Sequence, residues 1–218
     1  MDKKGLLFVV SAPSGAGKTS LCRDVTQKVD NLAFSISYTT RPPRPREVNG
    51  QDYFFVSEAS FLKNVDRGDF IEWAKVHGHY YGTSQSLLND WIKRGVDVIL
   101  DIDSQGAMIL KQRWDGGVYI YVLPPSFEVL KQRLIDRASD SPEEISRRLQ
   151  KAREEIAYFG SYQYLIINRE YEGAIHNMMA IIHAERVRMG PAERSWVENR
   201  FIHRFGGASQ SDKEGSAE

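Results

Sequence analysis

The sequence predicts an α/β fold in which helices cover both faces of a parallel sheet. Four short and almost wholly apolar runs support this prediction, because strands that are buried on both faces form continuous apolar segments. Segments with helical periodicity separate these runs, an alternation that is typical of a doubly wound sheet. The four runs are LLFVV at 6–10, VDVILDI at 96–102, VYIYVL at 118–123 and YLIIN at 164–168.

Composition points to one folding unit and disfavours two classes of partner. The 218 residues, with 41% hydrophobic content, suit one compact domain with small insertions. The 29 basic and 29 acidic residues cancel, so no overall field attracts nucleic acid or an anionic membrane, and we expect neither as a partner. Any anion site must therefore be built locally. Whether the protein is a monomer or a homo-oligomer stays open.

The lone cysteine and the N-terminal residues predict a cytoplasmic protein. With one cysteine, Cys22, the chain cannot form an internal disulfide. The apolar run near the N-terminus is too short for a signal peptide or a membrane span. Cys22 falls in a predicted helix, where a small buried apolar residue is a better interpretation than a reactive thiol.

A glycine-rich stretch, SAPSGAGKTSL, follows the first predicted strand and leads into apolar residues at helical spacing. Backbone N–H groups at such a junction converge on a polyphosphate, and Gly15 and Gly17 allow the close approach. Lys18 is placed to reach the β- and γ-phosphates, and the Thr19 hydroxyl suits Mg²⁺. The strict motif has glycine where this chain has Ala12, so a mere glycine-rich turn is the alternative. The expected ATP-binding loop comprises Ser14, Gly15, Ala16, Gly17, Lys18, Thr19 and Ser20.

Two later segments carry clear helix signals. SLLNDWIKRG has an apolar face and ends at Gly95, a typical C-terminal stop. SPEEISRRLQKAREEIAYF opens with Ser141 as a cap, Pro142 in the first turn and Glu144 completing a capping box. The apolar face predicted for the first of these helices consists of Leu87, Leu88, Trp91 and Ile92.

Residues 34–83 depart from the α/β alternation. They are rich in aromatic and β-branched residues, with Pro, Gly and Asn at turns, which predicts an inserted and mostly β subdomain. At the other end of the chain, residues 206–218 contain no large apolar residue. Because such a segment cannot offset its own ordering entropy, we expect a disordered tail.

The insertion carries candidates for binding a second, phosphate-bearing substrate. Arg41 and Arg44 offer guanidinium forks, and Tyr53 and Tyr81 offer phenol donors, a set that can hold one phosphate dianion. Taken singly, each has a simpler interpretation, because an isolated Arg is usually a solvated surface charge and an isolated Tyr usually lies in the core or at its rim. Their occurrence together in one inserted segment favours binding.

Glu72 is the candidate for base recognition. A carboxylate only accepts hydrogen bonds, and guanine presents two adjacent donors, N1–H and the 2-amino group, where adenine has a bare acceptor at N1. Glu72 therefore favours guanine, since adenine bound in place of guanine would leave the buried charge of Glu72 unpaired. The hydroxyls of Ser37 and Thr83 suit guanine O6.

Two aspartates and three arginines complete the candidates. In the sequence DID, Asp101 and Asp103 are expected to face the same side at the C-terminal end of a strand, where ligands of parallel sheets bind. Capping of neighbouring helix N-termini is the alternative. Arg133 and Arg137 lie one helical turn apart, and Arg148 follows in the next helix. From the residues alone, a salt-bridged solvent face is the better interpretation of these arginines.

Five motifs together resemble those of guanylate kinases: SAPSGAGKTSL, SYTTRPPRPREVNGQDYFFV, FIEWAKVHGHYYGTS, VILDIDSQGA and YVLPPS. The likeness runs from about residue 6 to residue 188. It implies Mg²⁺-dependent transfer of the γ-phosphoryl group of ATP to GMP or dGMP, in purine nucleotide metabolism. The residues that it implies as GMP contacts are Ser37, Arg41, Arg44, Tyr53, Glu72, Tyr81, Thr83 and Asp103. It also places Asn168 at the adenine pocket.

The same resemblance implies a division of the chain. A P-loop core formed by residues 1–36, 84–125 and 156–205 would carry a GMP-binding subdomain at 37–83 and a helical lid at 126–155.

A catalytic set also follows from the resemblance. The lid arginines would close over the phosphates, and Thr19 and Asp101 would lie around the metal ion. The catalytic residues that it implies are Lys18, Arg41, Arg133, Arg137, Arg148 and Asp101. The chain departs from the usual pattern in places, for example at Arg46, where glycine is common.

Two rival functions stay open. A guanylate-kinase-like module that binds partner peptides would have lost its nucleotide chemistry, and the intact Lys18 and Thr19 oppose this reading. A P-loop kinase for a different small acceptor is opposed by Glu72 together with Ser37 and Thr83. A panel of phosphate acceptors separates these functions.

Overall fold

The computed structural model describes residues 4–76, 78–136 and 142–203. Its strands are β1 (Leu7–Ser11), β2 (Leu32–Phe34), β3 (Tyr38–Thr39), β4 (Phe54–Phe55), β5 (Phe70–Val76), β6 (His79–Ser84), β7 (Asp97–Asp101), β8 (Val118–Leu123) and β9 (Tyr164–Ile167). Its α-helices are α1 (Lys18–Lys28), α2 (Glu58–Asp66), α3 (Gln85–Lys93), α4 (Ser104–Arg113), α5 (Phe127–Asp136), α6 (Pro142–Ile156), α7 (Tyr171–Arg186) and α8 (Pro191–Val197).

Five strands form the central sheet, in the order β2–β7–β1–β8–β9. Every neighbouring pair in this sheet is parallel. The predicted α/β class with a parallel sheet is therefore confirmed. The four apolar runs correspond to β1, β7, β8 and β9, and the fifth strand, β2, was missed because its three residues are too short to stand out as a separate run.

Side-chain alternation along β1 shows why these runs are continuously apolar. Phe8 and Val10 pack into a cluster with apolar residues of α1 and α7. Leu7 and Val9 pack into a second cluster with apolar residues of α3 and α4. Because successive side chains of a strand point to opposite faces, a sheet covered by helices on both faces needs an apolar residue at every position.

A second sheet lies within residues 38–84, in the order β4–β3–β6–β5. Its presence confirms the mostly β character predicted for the insertion. The segment also contains α2, which the sequence interpretation missed. The signal was available, since the Ser57 side chain caps this helix by accepting a hydrogen bond from the backbone N–H of Ser60.

The apolar face predicted for α3 is narrower than expected. Leu88 and Ile92 are buried, but Leu87 and Trp91 are 41% and 36% exposed, so their assignment to the buried face was wrong. A nine-residue helix at the edge of a core buries one narrow stripe of residues four apart. Cys22 is buried in the core, as predicted. The proposed cap Ser141 and the tail at 206–218 lie outside the described residues.

By compactness the chain divides into two units, residues 1–182 and residues 183–218. The first contains both sheets. Within the second, α8 is followed by a short π-helical turn, Glu198–Ile202, and the rings of Trp196 and Phe201 meet at 5.4 Å. Among the described residues, no helix combines the length and the apolar character needed to cross a membrane.

Candidate active site

The glycine-rich loop joins β1 to α1 and takes a backbone shape that glycine makes possible. Gly15 and Gly17 have φ values of 98° and 90°, in the left-handed region that disfavours other residues. Gly17 directly precedes α1 and offers no side chain to cap its first N–H groups. Ala12 lies in the core cluster, and it is not among the described residues with positive φ. A methyl group is therefore tolerated where the strict motif has glycine.

Lys18 and Asp101 form a half-buried ion pair beside the loop. The Lys18 Nζ atom contacts Asp101 Oδ1 and donates a 2.7 Å hydrogen bond to the carbonyl oxygen of Ile102. Burial lowers the pKa of Lys18, but the charge and the hydrogen bond of Asp101 outweigh it, so the pKa lies above its usual value. Lys18 is therefore a permanent cation near neutral pH.

Two of the predicted arginines contact the same loop. Arg148 Nη2 donates to Ser14 Oγ at 2.5 Å. Arg133 Nη2 donates to the carbonyl oxygen of Asn168 at 3.0 Å, and its Nη1 lies 3.5 Å from the carbonyl oxygen of Ala16. These contacts differ from the solvated, salt-bridged face that residue patterns alone favoured. Arg137 lies outside the described residues.

Asn168 is buried beneath the loop. Its side-chain amide donates a 2.9 Å hydrogen bond to the carbonyl oxygen of Ala16, and 4% of its surface is exposed. The structure thus connects Asn168 to the backbone that would surround the phosphates.

One cavity of about 250 Å³ joins the loop to residues of the second sheet. Its floor is the loop from Ala12 to Ser20, including Thr19, and Asp101 lies beside it. The sequence-predicted residues of the acceptor side that line the same cavity are Ser37, Tyr53, Glu72, Tyr81 and Asp103. Residues that were far apart in the sequence are therefore brought to one space.

Glu72 is the buried carboxylate of this cavity. It is 3% exposed, and its Oε1 accepts a hydrogen bond of 2.5 Å from the Thr83 hydroxyl. Burial raises the pKa of Glu72 to about 7, although the Thr83 hydrogen bond opposes the shift. Thr83 itself is buried and does not line the cavity, so its hydroxyl serves Glu72 here.

Arg41 is held by an acidic neighbour that the sequence interpretation did not single out. Its Nη2 donates to Glu47 Oε1 at 2.8 Å, and its guanidinium lies 5.4 Å from the centre of the Tyr53 ring. Arg44 is exposed, and its backbone N–H donates to the second oxygen of Glu47 at 2.7 Å. Arg46 has φ 77°, which explains why glycine is suited to that position.

Asp103 caps a helix N-terminus, the alternative that the sequence analysis gave for it. β7 ends at Asp101, and Asp103 caps α4 by accepting a 2.8 Å hydrogen bond from the N–H of Gly106. The expectation that both aspartates lie on one strand was therefore wrong. The strand ends two residues earlier because the capping hydrogen bond turns the chain into a helix. Asp103 still lines the cavity.

Sequence reasoning missed Glu155, which lines the cavity and lies on α6, the helix that also carries Arg148. Burial raises its pKa above the ordinary value, although the charge of Lys151 opposes the shift. No local pattern marks it, because it is one of several charged residues on a charge-rich helix. For Glu47 a signal existed, since a carboxylate follows Arg44 by three residues in a turn rich in proline.

Comparisons with family models, curated proteins and solved structures all indicate the same family. The family model described as guanylate kinase matches residues 4–185. The guanylate kinase of Geobacter metallireducens is 49% identical over 188 residues, which cover 86% of this chain and 93% of that protein. The guanylate kinase of Thermotoga maritima is 45% identical over 186 residues, or 85% and 90% of the two chains.

Among solved structures, the chain is similar to the crystal structure of guanylate kinase from Anaplasma phagocytophilum. The TM-score is 0.78 at 32% sequence identity, and the match covers 92% of this chain and 97% of the other.

Proposed function

The chain belongs to the guanylate kinase family, and we propose that it transfers the γ-phosphoryl group of ATP to GMP or dGMP. One observation carries the proposal: a glycine-rich phosphate loop and a buried, cavity-facing carboxylate line the same cavity. A phosphate oxygen of GMP attacks the γ-phosphorus, and the bond from that phosphorus to the β–γ bridging oxygen breaks. The products are GDP and ADP.

At the donor side, we assign the triphosphate of ATP to residues 14–20. The loop offers unobstructed N–H groups at the start of α1. Lys18, Arg133 and Arg148 add cations, which at present contact oxygens of the protein itself. Substrate phosphates would compete with those oxygens, and the cations would then stabilise the negative charge that spreads over the moving phosphoryl group.

At the acceptor side, we assign the guanine base to Glu72 and the GMP phosphate to Arg41, Arg44, Tyr53 and Tyr81. An ionised Glu72 can accept from both guanine donors, and Ser37 lies within the same cavity. Arg41 is half-buried against Tyr53, which leaves its guanidinium a restricted range of positions. A restricted fork loses less entropy on binding a phosphate.

The residues present fit Mg²⁺ as the metal cofactor. Thr19 offers a hydroxyl and Asp101 a carboxylate, and both line the cavity beside the loop. Magnesium sites in such enzymes commonly use one or two protein oxygens, with the other ligands supplied by water and substrate phosphates. When bound, the ion neutralises charge on the β- and γ-phosphates.

The division into a core, a GMP-binding subdomain at 37–83 and a lid at 126–155 is part of this proposal, as is a cytoplasmic location. All of the second sheet except Ser84, the last residue of β6, falls in the GMP-binding subdomain, and Arg133 and Arg148 fall in the lid. Closure of both segments over the substrates would exclude water, which would otherwise accept the phosphoryl group.

A substrate panel tests the proposal. The purified protein is given ATP and Mg²⁺ with GMP, dGMP, AMP or UMP, and ADP release is followed in a coupled assay. We expect turnover with GMP and dGMP, and a kcat/KM at least about 10⁴-fold lower with AMP. Chelation of Mg²⁺ should abolish turnover. Turnover with a different acceptor would favour another small-molecule kinase, and no turnover with any acceptor would favour a binding module.

A further inference from the structure

Gly106 lies directly against the carboxylate of Glu72. It is buried, and it is the third residue of α4. A Cβ atom built at this position would lie 2.6 Å from Glu72 Oε2 and 3.2 Å from Asp103 Oδ1. Real Cβ atoms essentially never approach another atom closer than 3.0 Å. Any side chain at position 106 must therefore displace the carboxylate or the helix.

An irregularity in β5 explains how the carboxylate comes so close. Phe70 pairs with Ser84 and Glu72 pairs with Thr83, so β5 advances two residues while β6 advances one. Such a β-bulge changes the direction of the side chains that follow it. Ile71 packs in the same core cluster as two residues of α4, and the next residue, Glu72, also meets α4. Regular alternation would have sent these two side chains to opposite faces.

The carboxylate is thus confined from two sides. The Thr83 hydroxyl fixes Oε1, and the backbone at Gly106 lies against Oε2. The helix is also tied to the strand, because Arg113 Nη1 donates a 3.2 Å hydrogen bond to the carbonyl oxygen of Ile71. Helix and strand therefore share a fixed separation, in which the missing side chain of Gly106 makes the space for Oε2.

We propose that Gly106 is a positioning residue that determines specificity for guanine, because its lack of a side chain sets where Oε2 of Glu72 lies. Guanine recognition needs both carboxylate oxygens, one for N1–H and one for the 2-amino group. This inference rests on the proposed function. In this assignment Oε2 accepts from the 2-amino group of guanine, and a methyl group at position 106 moves Oε2 away from that donor.

The test is Gly106→Ala, with GMP and IMP as alternative acceptors. IMP has the N1–H donor and lacks the 2-amino group, so the ratio of kcat/KM for GMP to that for IMP reports the second hydrogen bond. We expect kcat/KM for GMP to fall about 100-fold, as is typical of a misplacement of about 1 Å. The GMP-to-IMP ratio should fall about 10-fold or more, and the KM for ATP should not change.

Gly173→Ala is the matched control. Gly173 is the third residue of α7, and a Cβ there would meet nothing within 4 Å. Both variants add the same methyl group at the same helix position, so an effect of helix propensity would appear in both. We expect Gly173→Ala to keep the GMP-to-IMP ratio of the parent protein.

A double-mutant cycle covers the case in which Gly106→Ala folds poorly. Glu72→Ala removes the carboxylate and opens the space beside position 106. Gly106→Ala should then lower Tm in the parent protein and should not lower it in the Glu72→Ala background. Equal losses of Tm in both backgrounds would overturn the inference, and so would an unchanged GMP-to-IMP ratio in a folded Gly106→Ala protein.

The failure of this inference is distinguishable from that of the proposed function. If Glu72→Gln itself leaves discrimination between GMP and AMP unchanged, the assignment of Glu72 to guanine is wrong, and the inference falls with it. If Glu72→Gln collapses that discrimination and Gly106→Ala leaves the GMP-to-IMP ratio intact, only the role of Gly106 is wrong.

Discussion

The two ends of the cavity are built in opposite ways. The phosphate end is one continuous stretch, from Ala12 to Ser20, whose backbone and first helical turn do the binding. The base end is assembled from Ser37 and Glu72, which belong to separate parts of the second sheet and its connections. A motif in sequence can define the first end. The second exists only once a bulge and a helix have brought distant residues together.

The charged residues of the two ends also differ. Lys18 is paired with Asp101, and its pKa is raised, so it stays a cation over the whole physiological range. Glu72 has a neutral hydroxyl as its partner, and burial raises its pKa to about 7. The phosphate end is therefore permanently charged, whereas the base end changes its charge near neutral pH.

The largest expected effect lies at the phosphate end. Lys18→Ala should lower kcat by about 10³-fold or more, because a cation that stabilises charge in the transition state is worth roughly 4 kcal/mol or more. Lys28→Ala on the same helix is the control, since Lys28 is 48% exposed and far less constrained. ADP release and GMP binding are measured for both. Near-native turnover of Lys18→Ala would contradict the assignment of the loop.

A smaller effect should appear at the base end, as a dependence of stability on pH. The pKa of Glu72 is about 7 in the folded protein against 4.5 for the ordinary carboxyl. Between these values the folded state keeps a proton that the unfolded state has lost, so this contribution to stability falls as the pH rises. The loss amounts to about 3 kcal/mol across the window.

Urea unfolding of the parent protein and of Glu72→Gln, at pH 5 and at pH 8, measures this term. The other carboxyl groups are common to both proteins and cancel in the difference. The variant should gain roughly 2 to 3 kcal/mol relative to the parent between the two pH values. Parallel stability profiles would show that Glu72 is ionised throughout, and the contrast between the two ends would disappear.

The comparison of the two ends also shows which parts of the site can be predicted from the sequence. The phosphate loop could be predicted because its residues are contiguous and its chemistry follows from their order. Glu72 could be chosen because a carboxylate suits guanine, but its partners could not. The contacts with Gly106 and Glu155 depend on tertiary packing, and those residues carry no local pattern.

For the fold, continuous apolar runs identified four strands of the central sheet because burial on both faces leaves little alternation. Shorter elements escaped. β2 has three residues and β3 and β4 have two each, so their identity comes from pairing with neighbours rather than from their own composition. The same limit applies to Asp103, where a strand and a helix cap compete for one residue and the capping hydrogen bond decides.

The smallest expected effect comes from Asn168, because its side chain supports the phosphate end only through a hydrogen bond to the backbone of the loop. Its amide holds the carbonyl oxygen of Ala16, so Asn168→Ala removes one buried hydrogen bond, worth about 1 kcal/mol. We expect the KM for ATP to rise about five-fold and the KM for GMP to stay unchanged.

A comparison of ATP with GTP as the phosphoryl donor distinguishes two possible roles of Asn168. If Asn168 supports the loop, Asn168→Ala should weaken ATP and GTP as donors equally, because both carry the same triphosphate. If it contacts adenine directly, as the family resemblance implies, the preference for ATP should fall. Asn177→Ala, at an exposed position of α7, is the control. The Asn168 amide is buried and already donates a hydrogen bond to the loop. We therefore expect ATP and GTP to be weakened equally as donors, so that selection of a base by a buried carboxylate would occur only at the acceptor end.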